Sequence, residues 1–323
     1  MRKLFTFCVL AALASPWSAA WAQEAYPTKP VKIIVGMPAG SFTDLTARLV
    51  ADELRANLGQ SFVVENRPGA ATNVATAAVA RAPNDGYTLL LASNSNTMNV
   101  TLFKNLPFDI EKDFVPVAMI TSAGFVLVVS PSLGVSSVQE LIALAKAKPG
   151  FLNFASTGSG TANHLAIEMF AQKAGIKVTT VFYKGSMEGV ADVLGGRIHG
   201  MFAPGSTAMP HVEAGALKAL AVTTPRRTAF APNIPTMAEA GLEGYDVSMW
   251  NGIFAPAGTS ADVIQRLAAI ATKAVRSDEL QNKIKTNGGD PAAMGPQEFA
   301  AYIKQDIAKW SAVVSGAGIQ PQQ

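Results

Sequence analysis

Short β-rich runs alternate along this chain with stretches whose apolar residues recur at helical spacing. Val31-Lys32-Ile33-Ile34-Val35 predicts a buried strand. Over 45–58, Ala47, Val50, Ala51, Leu54 and Leu58 share one helical face, and Gly59 ends the helix. Phe62-Val63-Val64 predicts the next strand. A short alanine-rich helix over 75–82 is broken by Pro83 and an Asn84-Asp85-Gly86 turn, and 88–92 predicts a third strand. This β-α-β-α-β order predicts an α/β fold with a mainly parallel sheet and helices on both faces.

The pattern then restarts. Further strands are predicted at 126–129, 152–155, 178–182 and 217–222, and further helices at 165–173 and 187–194. Ser137-x-x-Glu140 reads as a capping box opening a helix to Lys148, and Thr259-x-x-Asp262 as the cap of a helix reaching Val275. Pro296 opens a last helix that reaches about Val314. One similarity links the halves. Gly40-Ser41-Phe42-Thr43 and Gly158-Ser159-Gly160-Thr161 each follow a strand and open a helix. Each helix ends at a glycine (Gly59, Gly175), and each next strand leads to a Gly-small pair (Gly69-Ala70, Gly185-Ser186). Two matching βαβ units predict two similarly built domains.

Composition changes the picture at the start of the chain. Arg2 and Lys3 precede an apolar run over 4–14 that is too short to span a bilayer, and Ala20-Trp21-Ala22 is a small-x-small cleavage site. Residues 1–22 therefore predict an export signal cleaved near Ala22/Gln23, and a periplasmic destination. Cys8 is the one cysteine among 323 residues, so the mature chain has no disulfide, thiolate metal site or cysteine nucleophile. Without Arg2 and Lys3, the 26 basic side chains fall to 24 against 23 acidic ones. With that balance and no basic run, nucleic acid is not an expected partner. No coiled-coil pattern or exchanged strand suggests an oligomer, so a monomer is expected.

Ligands of open α/β sheets bind beyond the carboxyl ends of the strands, where both Gly-Ser loops fall. Free N–H groups of a first helical turn, with the helix dipole, attract anions. Ser41, Thr43, Ser159 and Thr161 add hydroxyls, while Gly40 and Gly158 let the backbone approach closely. For either loop alone ordinary capping competes, since Ser41-x-x-Asp44 is itself a capping box. The two together predict a cleft gripping a small anion from both sides. Neither loop has the Lys-Ser or Lys-Thr pair of a phosphate loop. Asn163 stands where a dinucleotide fingerprint has its third glycine, so no nucleotide cofactor is expected. A carboxylate fits the donors better. Other candidates are Asn73, Ser93, Asn94, Ser156, Thr157, His164 in the first turn of the second loop's helix, and Tyr183-Lys184-Gly185 at a strand end. Trp250 reads either as a cleft wall or as a core residue. His164, His199 and His211 lack metal spacing, and no Gly-x-Ser-x-Gly elbow or carboxylate pair is present, so neither a metal nor an enzyme is expected.

Segments spread over the mature chain resemble the Bug family, extracytoplasmic receptors of tripartite tricarboxylate transporters. They include Val64-Glu65-Asn66-Arg67-Pro68-Gly69-Ala70, Asp85-Gly86-Tyr87-Thr88-Leu89-Leu90, Leu106-Pro107-Phe108-Asp109, Tyr183-Lys184-Gly185 and Pro235-Thr236-Met237-Ala238-Glu239-Ala240-Gly241. Their order is the specific feature. The resemblance implies a two-domain periplasmic-binding-protein fold of the Venus flytrap type. The implied division is 23–122 plus 247–323 for the first domain and 123–246 for the second, with the ligand between them. It also implies delivery to membrane permease subunits.

Three departures bear on the ligand. Phe42 replaces a small residue in the first loop. Ala70-Ala71-Thr72-Asn73 replaces a glycine-richer run. Ala203-Pro204 stands where many relatives carry an aspartate that pairs with an ammonium group. Without that carboxylate an amino-acid ligand would bury an unpaired charge. The expected ligand is an aromatic mono- or dicarboxylate of the phthalate type. An aliphatic di- or tricarboxylate is the alternative, as is a sensing role beside transport. Phe42 either lines the cleft or points into the core.

Overall fold

The computed structural model describes residues 26–322; the expected signal peptide and its cleavage position lie outside them. In chain order the first elements are β1 (Val31–Val35), α1 (Phe42–Leu58), β2 (Phe62–Asn66), α2 (Asn73–Ala80), β3 (Thr88–Ser93), α3 (Asn94–Leu102) and β4 (Phe114–Ala123). Next come β5 (Phe125–Val129), α4 (Val138–Ala147), β6 (Asn153–Ser156), α5 (Ala162–Ala174), β7 (Thr179–Phe182), α6 (Ser186–Leu194), β8 (Gly200–Pro204), α7 (Gly205–Glu213) and β9 (Lys218–Val222). The chain closes with β10 (Met249–Pro256), α8 (Ala261–Val275), α9 (Asp278–Thr286), β11 (Asp290–Met294) and α10 (Pro296–Gly316).

Two sheets result, ordered β11-β4-β10-β3-β1-β2 and β7-β6-β8-β5-β9. The first draws strands from both ends of the chain and the second from its middle, which gives the two lobes of a flytrap. The five strands β4-β10-β3-β1-β2 correspond to β9-β5-β8-β6-β7, and β11 has no counterpart. β1 lies between parallel partners β2 and β3, as β6 lies between β7 and β8. β10 runs antiparallel to β3 and β4, as β5 does to β8 and β9. The sheets are therefore mixed, not mainly parallel. The reversal has a simple cause: β5 and β10 carry the chain across between lobes as extended strands, with no helix to turn them back.

The apolar periodicity places the cores. Ala47, Val50 and Leu54 of α1 pack with Val31, Ile33 and Val35 on one face of the first sheet, together with Leu267 and Ala271 of α8. Ile34, Leu90, Trp250 and Phe299 fill the other face. Helix α10 belongs to both lobes. Its Phe299 and Ile303 lie in the first-lobe core, whereas Trp310, Val313 and Val314 join Phe154, Phe170 and Phe202 in the second. Gln172 Nε2 on α5 donates to the Val313 carbonyl at 3.0 Å. Side chains of this size contribute about 1.5–3 kcal/mol each on full burial.

Between the lobes, Thr223 ties the two crossings together. Its fully buried hydroxyl accepts from the Phe125 N–H at 2.8 Å and donates to the Val247 carbonyl at 2.8 Å. One cap differs from the sequence expectation. Ser260, not Thr259, caps α8, its Oγ accepting from Val263 N–H; the Thr259 hydroxyl donates instead to the Pro256 carbonyl at 2.7 Å.

Candidate functional site

A cavity of 540 Å³ lies between the sheets at the carboxyl ends of β1, β3, β6 and β8. Each of these strands is followed by a helix, β3 and β8 directly and β1 and β6 through a short loop, and all four helix starts line the cavity. They are Phe42 and Thr43 of α1, Asn94 and Ser95 of α3, Ala162 of α5, and Gly205 and Ser206 of α7. First-turn N–H groups lack intrahelical acceptors, so four partial positive ends converge on one space. Among the described residues, none that lines the cavity carries an ionisable side chain. The remaining wall is largely apolar: Met98, Leu102 and Phe103 around the end of α3, with Met249 and Trp250 of β10.

The first loop is set by Asp44. This carboxylate, 1% exposed, accepts from the Gly40 N–H at 2.9 Å, from Arg48 Nε and Nη2 at 3.0 Å each, and from Asn66 Nδ2 at 2.9 Å. Burial pushes its pKa up, but the hydrogen bonds from Arg48, Gly40 and Asn66 and the Arg48 charge outweigh that, and the net shift is down. Gly40 and Asp44 thus stand behind the cavity wall and shape it, while Ser41, Phe42 and Thr43 face the cavity. The Phe42 ring leans on Gly289. A Cβ there would meet Phe42 Cζ, the far end of the side chain, so the ring would have to shift.

The wall between the first loop and α3 is strained. Ala70, Ala71 and Thr72 all have positive φ, at 45°, 52° and 82°. Non-glycine residues resist this region by about 1–2 kcal/mol each. Asn99 of α3 clamps the segment, donating from Nδ2 to the Ala71 carbonyl at 2.7 Å and to Asn73 Oδ1 at 2.8 Å. Ala71 and Asn99 line the cavity; Asn73 is buried behind them.

In the second loop Ser159, Gly160 and Thr161 line the cavity. Ser156, Thr157 and Gly158 stand behind, and the hydroxyls of Ser156 and Thr157 turn toward Asn163. His164 is a loop support in this arrangement: its Nδ1 accepts from the Gly160 N–H at 3.1 Å, and its Nε2 lies 3.5 Å from Glu168 Oε1.

Tyr183, Lys184 and Gly185 do not line the cavity. They follow β7, the edge strand of the second sheet, so they emerge to one side of it. The Tyr183 hydroxyl donates to Asp192 Oδ2 at 2.7 Å, and burial together with that bond pushes its pKa up to about 12. Lys184 is exposed, and Gly185 caps α6. Ala203 is buried in the second-lobe core, while Pro204 lines the cavity where it precedes α7. Trp250 meets both of its expected roles. It is fully buried, its Nε1 donates to Asp306 Oδ2 at 2.9 Å, and it lines the cavity.

Sequence reasoning named Ser93, Asn94 and Pro204, all of which line the cavity, but not the helices α3 and α7 that start there, which are the structural counterparts of each other in the two sheets. Asn94 and Ser95 follow β3 as Gly205 and Ser206 follow β8. The signal was the corresponding strand order, which needs the sheets to be seen. Also missed were Met98, Asn99, Leu102, Met249, Asn287, Gly288 and Gln322. Gln322 arrives through backbone pairing, its N–H donating to the Leu102 carbonyl at 2.8 Å.

The model for the tripartite tricarboxylate transporter family receptor matches residues 46–319. The chain belongs to that family. This receptor is 35% identical to BugT of Bordetella pertussis over 314 residues, 97% of this chain and 95% of the relative. Among solved structures, it matches R. palustris Rpa4515 with adipate at 34% identity and TM-score 0.75, covering 92% of this chain and 100% of that one. It matches MatC from Rhodopseudomonas palustris, with bound malate, at 28% identity and TM-score 0.70, covering 90% of this chain and 100% of that one. The receptor is a periplasmic binding protein, not an enzyme.

Proposed function

We propose that the cavity captures a small carboxylate and that the receptor delivers it to the permease of a tripartite tricarboxylate transporter. The observation that carries this reading is the convergence of four helix N-termini on a space with no ionisable side chain. An anion there is held by fixed backbone dipoles and by the hydroxyls of Ser41, Thr43, Ser159 and Thr161. An ammonium group would find no counter-charge, which disfavours amino acids. Both lobes contribute, so a ligand that bridges them stabilises one relative position of the lobes and the outer surface that goes with it. The receptor acts as a monomer whose lobes are 23–122 plus 247–323 and 123–246.

Within carboxylates, the first reading is an aromatic mono- or dicarboxylate of the phthalate type. Phe42, Met98, Leu102 and Trp250 supply apolar surface for a ring. The second reading is an aliphatic dicarboxylate, favoured by the adipate and malate in the solved structures of two relatives. A thermal-shift screen of refolded mature receptor separates them. A ligand at about 100 times its dissociation constant adds roughly 2.7 kcal/mol. The expected result is a shift with phthalate exceeding that with adipate. A larger shift with adipate selects the second reading, and a shift with amino acids or sugars alone removes both.

A further inference from the structure

Asp306 of α10 stands behind the cavity wall. It is 2% exposed and does not line the cavity. One of its oxygens, Oδ2, accepts from two elements at once: the Trp250 Nε1–H of β10 at 2.9 Å and the Thr97 hydroxyl of α3 at 2.6 Å. The Thr97 oxygen also lies 2.9 Å from the Asn94 carbonyl, but its one proton goes to the nearer, charged acceptor. Both elements face the cavity, β10 through Trp250 itself and α3 through Asn94, Ser95 and Met98. A single buried oxygen thus ties two parts of the wall together.

The other neighbours of Trp250 on α10 hold it less sharply. Phe299 and Tyr302 meet its ring edge-on, at centroid distances of 5.3 and 6.5 Å. Such contacts confine a ring by shape and tolerate small rotations. The indole has one donor, and a bond from it is directional. The charge of Asp306 is answered on its far side, where Lys309 Nζ lies 2.8 Å from Oδ1 and 3.5 Å from Asp246 Oδ2. Lys309 therefore offsets a negative charge that would otherwise oppose an anion across the wall.

We propose that Asp306 is a positioning residue for ligand binding: it fixes the rotation of the Trp250 ring against the start of α3, and so sets the shape of the wall a ligand meets. The proposal rests on the carboxylate reading above and deepens it.

Trp250 and Trp310 are the tryptophans of the mature chain, since Trp17 and Trp21 fall in the expected export signal. Trp310 Nε1 is buried with no acceptor among the described residues. The wild type should therefore show two indole 1H–15N resonances, with that of Trp250 downfield; Trp310→Phe assigns them. The test compares these spectra, and calorimetric dissociation constants for phthalate and adipate, across Asp306→Leu, Asp306→Asn and Thr97→Val. Asp306→Leu removes the acceptor. It should move the Trp250 resonance upfield and weaken binding about tenfold, the worth of one ordinary hydrogen bond. Asp306→Asn keeps an oxygen for the indole and the hydroxyl, and should recover most of both changes. Thr97→Val cuts only the tie to α3; it should shift the Trp250 resonance and weaken binding about threefold. A merely structural Asp306 would lower the melting temperature and leave the affinity of the folded receptor unchanged, and that result would overturn the proposal. So would an Asp306→Asn variant as weak as Asp306→Leu. Should Asp306→Leu fail to fold, unchanged affinity and an unmoved Trp250 resonance in Thr97→Val would overturn it equally. If the wild type binds neither acid, the carboxylate reading falls and takes the proposal with it; if it binds and the variants bind as well, only the proposal falls.

Discussion

Gly160 and Leu102 meet across the cavity. A Cβ on Gly160 would lie 3.2 Å from Leu102 Cδ1, so the second-lobe loop rests against the first-lobe helix α3. Gly160 also has φ of 75°, which side chains rarely adopt. Gly160→Ala is expected to leave each lobe folded but to push loop and helix apart, weakening ligand binding about tenfold or more. Calorimetry checks the affinity and circular dichroism the fold. Unchanged affinity would mean that this contact has no part in gripping the ligand.

Phe42 and Gly289 form a second such pair. Adding a Cβ at Gly289 drives the Phe42 ring toward the cavity, since Cζ is the movable end of the side chain. Gly289→Ala should lower the affinity for bulky ligands with little change in melting temperature. Phe42→Ala combined with it should restore space and recover part of the loss. A loss that persists in the double variant would show that Gly289 acts without Phe42.

Asp44 shapes the cavity without lining it. Asp44→Ala removes the acceptor for Gly40, Arg48 and Asn66 together. About 2–4 kcal/mol of stability should go with it, measured by urea unfolding, and ligand affinity should fall as well. The pH dependence has a definite sign. The folded pKa lies below its ordinary value of 3.8. The stabilisation from Asp44 is therefore fully present above that value and is lost as pH falls through the lower folded value. Acid unfolding below about pH 4 should be shallower in Asp44→Ala than in the wild type.

The strained run at 70–72 gives a prediction of opposite sign. Ala71 has φ of 52°. Ala71→Gly relieves that strain at the cost of extra chain entropy, for a net gain of roughly 0.5–1 kcal/mol in stability. A loss on thermal or urea unfolding would show that the conformation is not costly.

Much of this fold was legible because burial dictates periodicity. β1, α1, β2, β3, α4, β6, α5 and α10 all carry an unbroken apolar stripe or run. Helix α3 was not legible. Its sequence Asn-Ser-Asn-Thr-Met-Asn-Val-Thr-Leu is polar on nearly every face. Asn96, Thr97 and Asn99 are buried through hydrogen bonds to Thr76, Asp306 and Ala71, which no hydropathy pattern reveals. The two Gly-Ser loops were legible as helix starts beyond strand ends. Their counterparts at α3 and α7 lack glycine-rich signatures, because Ser93 and Pro204 enter their helices directly from a strand. Tyr183 and Lys184 misled for a related reason: sequence places a strand end but not the strand's position in the sheet, and β7 lies at the edge.

The absence of a cation from the cavity wall also predicts specificity by substitution. Pro204→Asp places a carboxylate on that wall at the start of α7, where aspartate is a favourable cap. Carboxylate affinity should drop by about a hundredfold, as like charges meet in the cavity. Binding of acidic or neutral amino acids should appear, read by thermal shift. Retained carboxylate affinity would place the anion away from Pro204.

The central claim is that backbone dipoles at four helix starts hold an anion without a cationic side chain. Its most direct test is calorimetric titration of refolded receptor with a carboxylate and with its uncharged amide, phthalate against phthalamide and adipate against adipamide. The account predicts binding of at least one acid and a loss of a hundredfold or more in the corresponding amide. Equal binding of acid and amide, or binding of neither acid with binding of an amino acid, would contradict it.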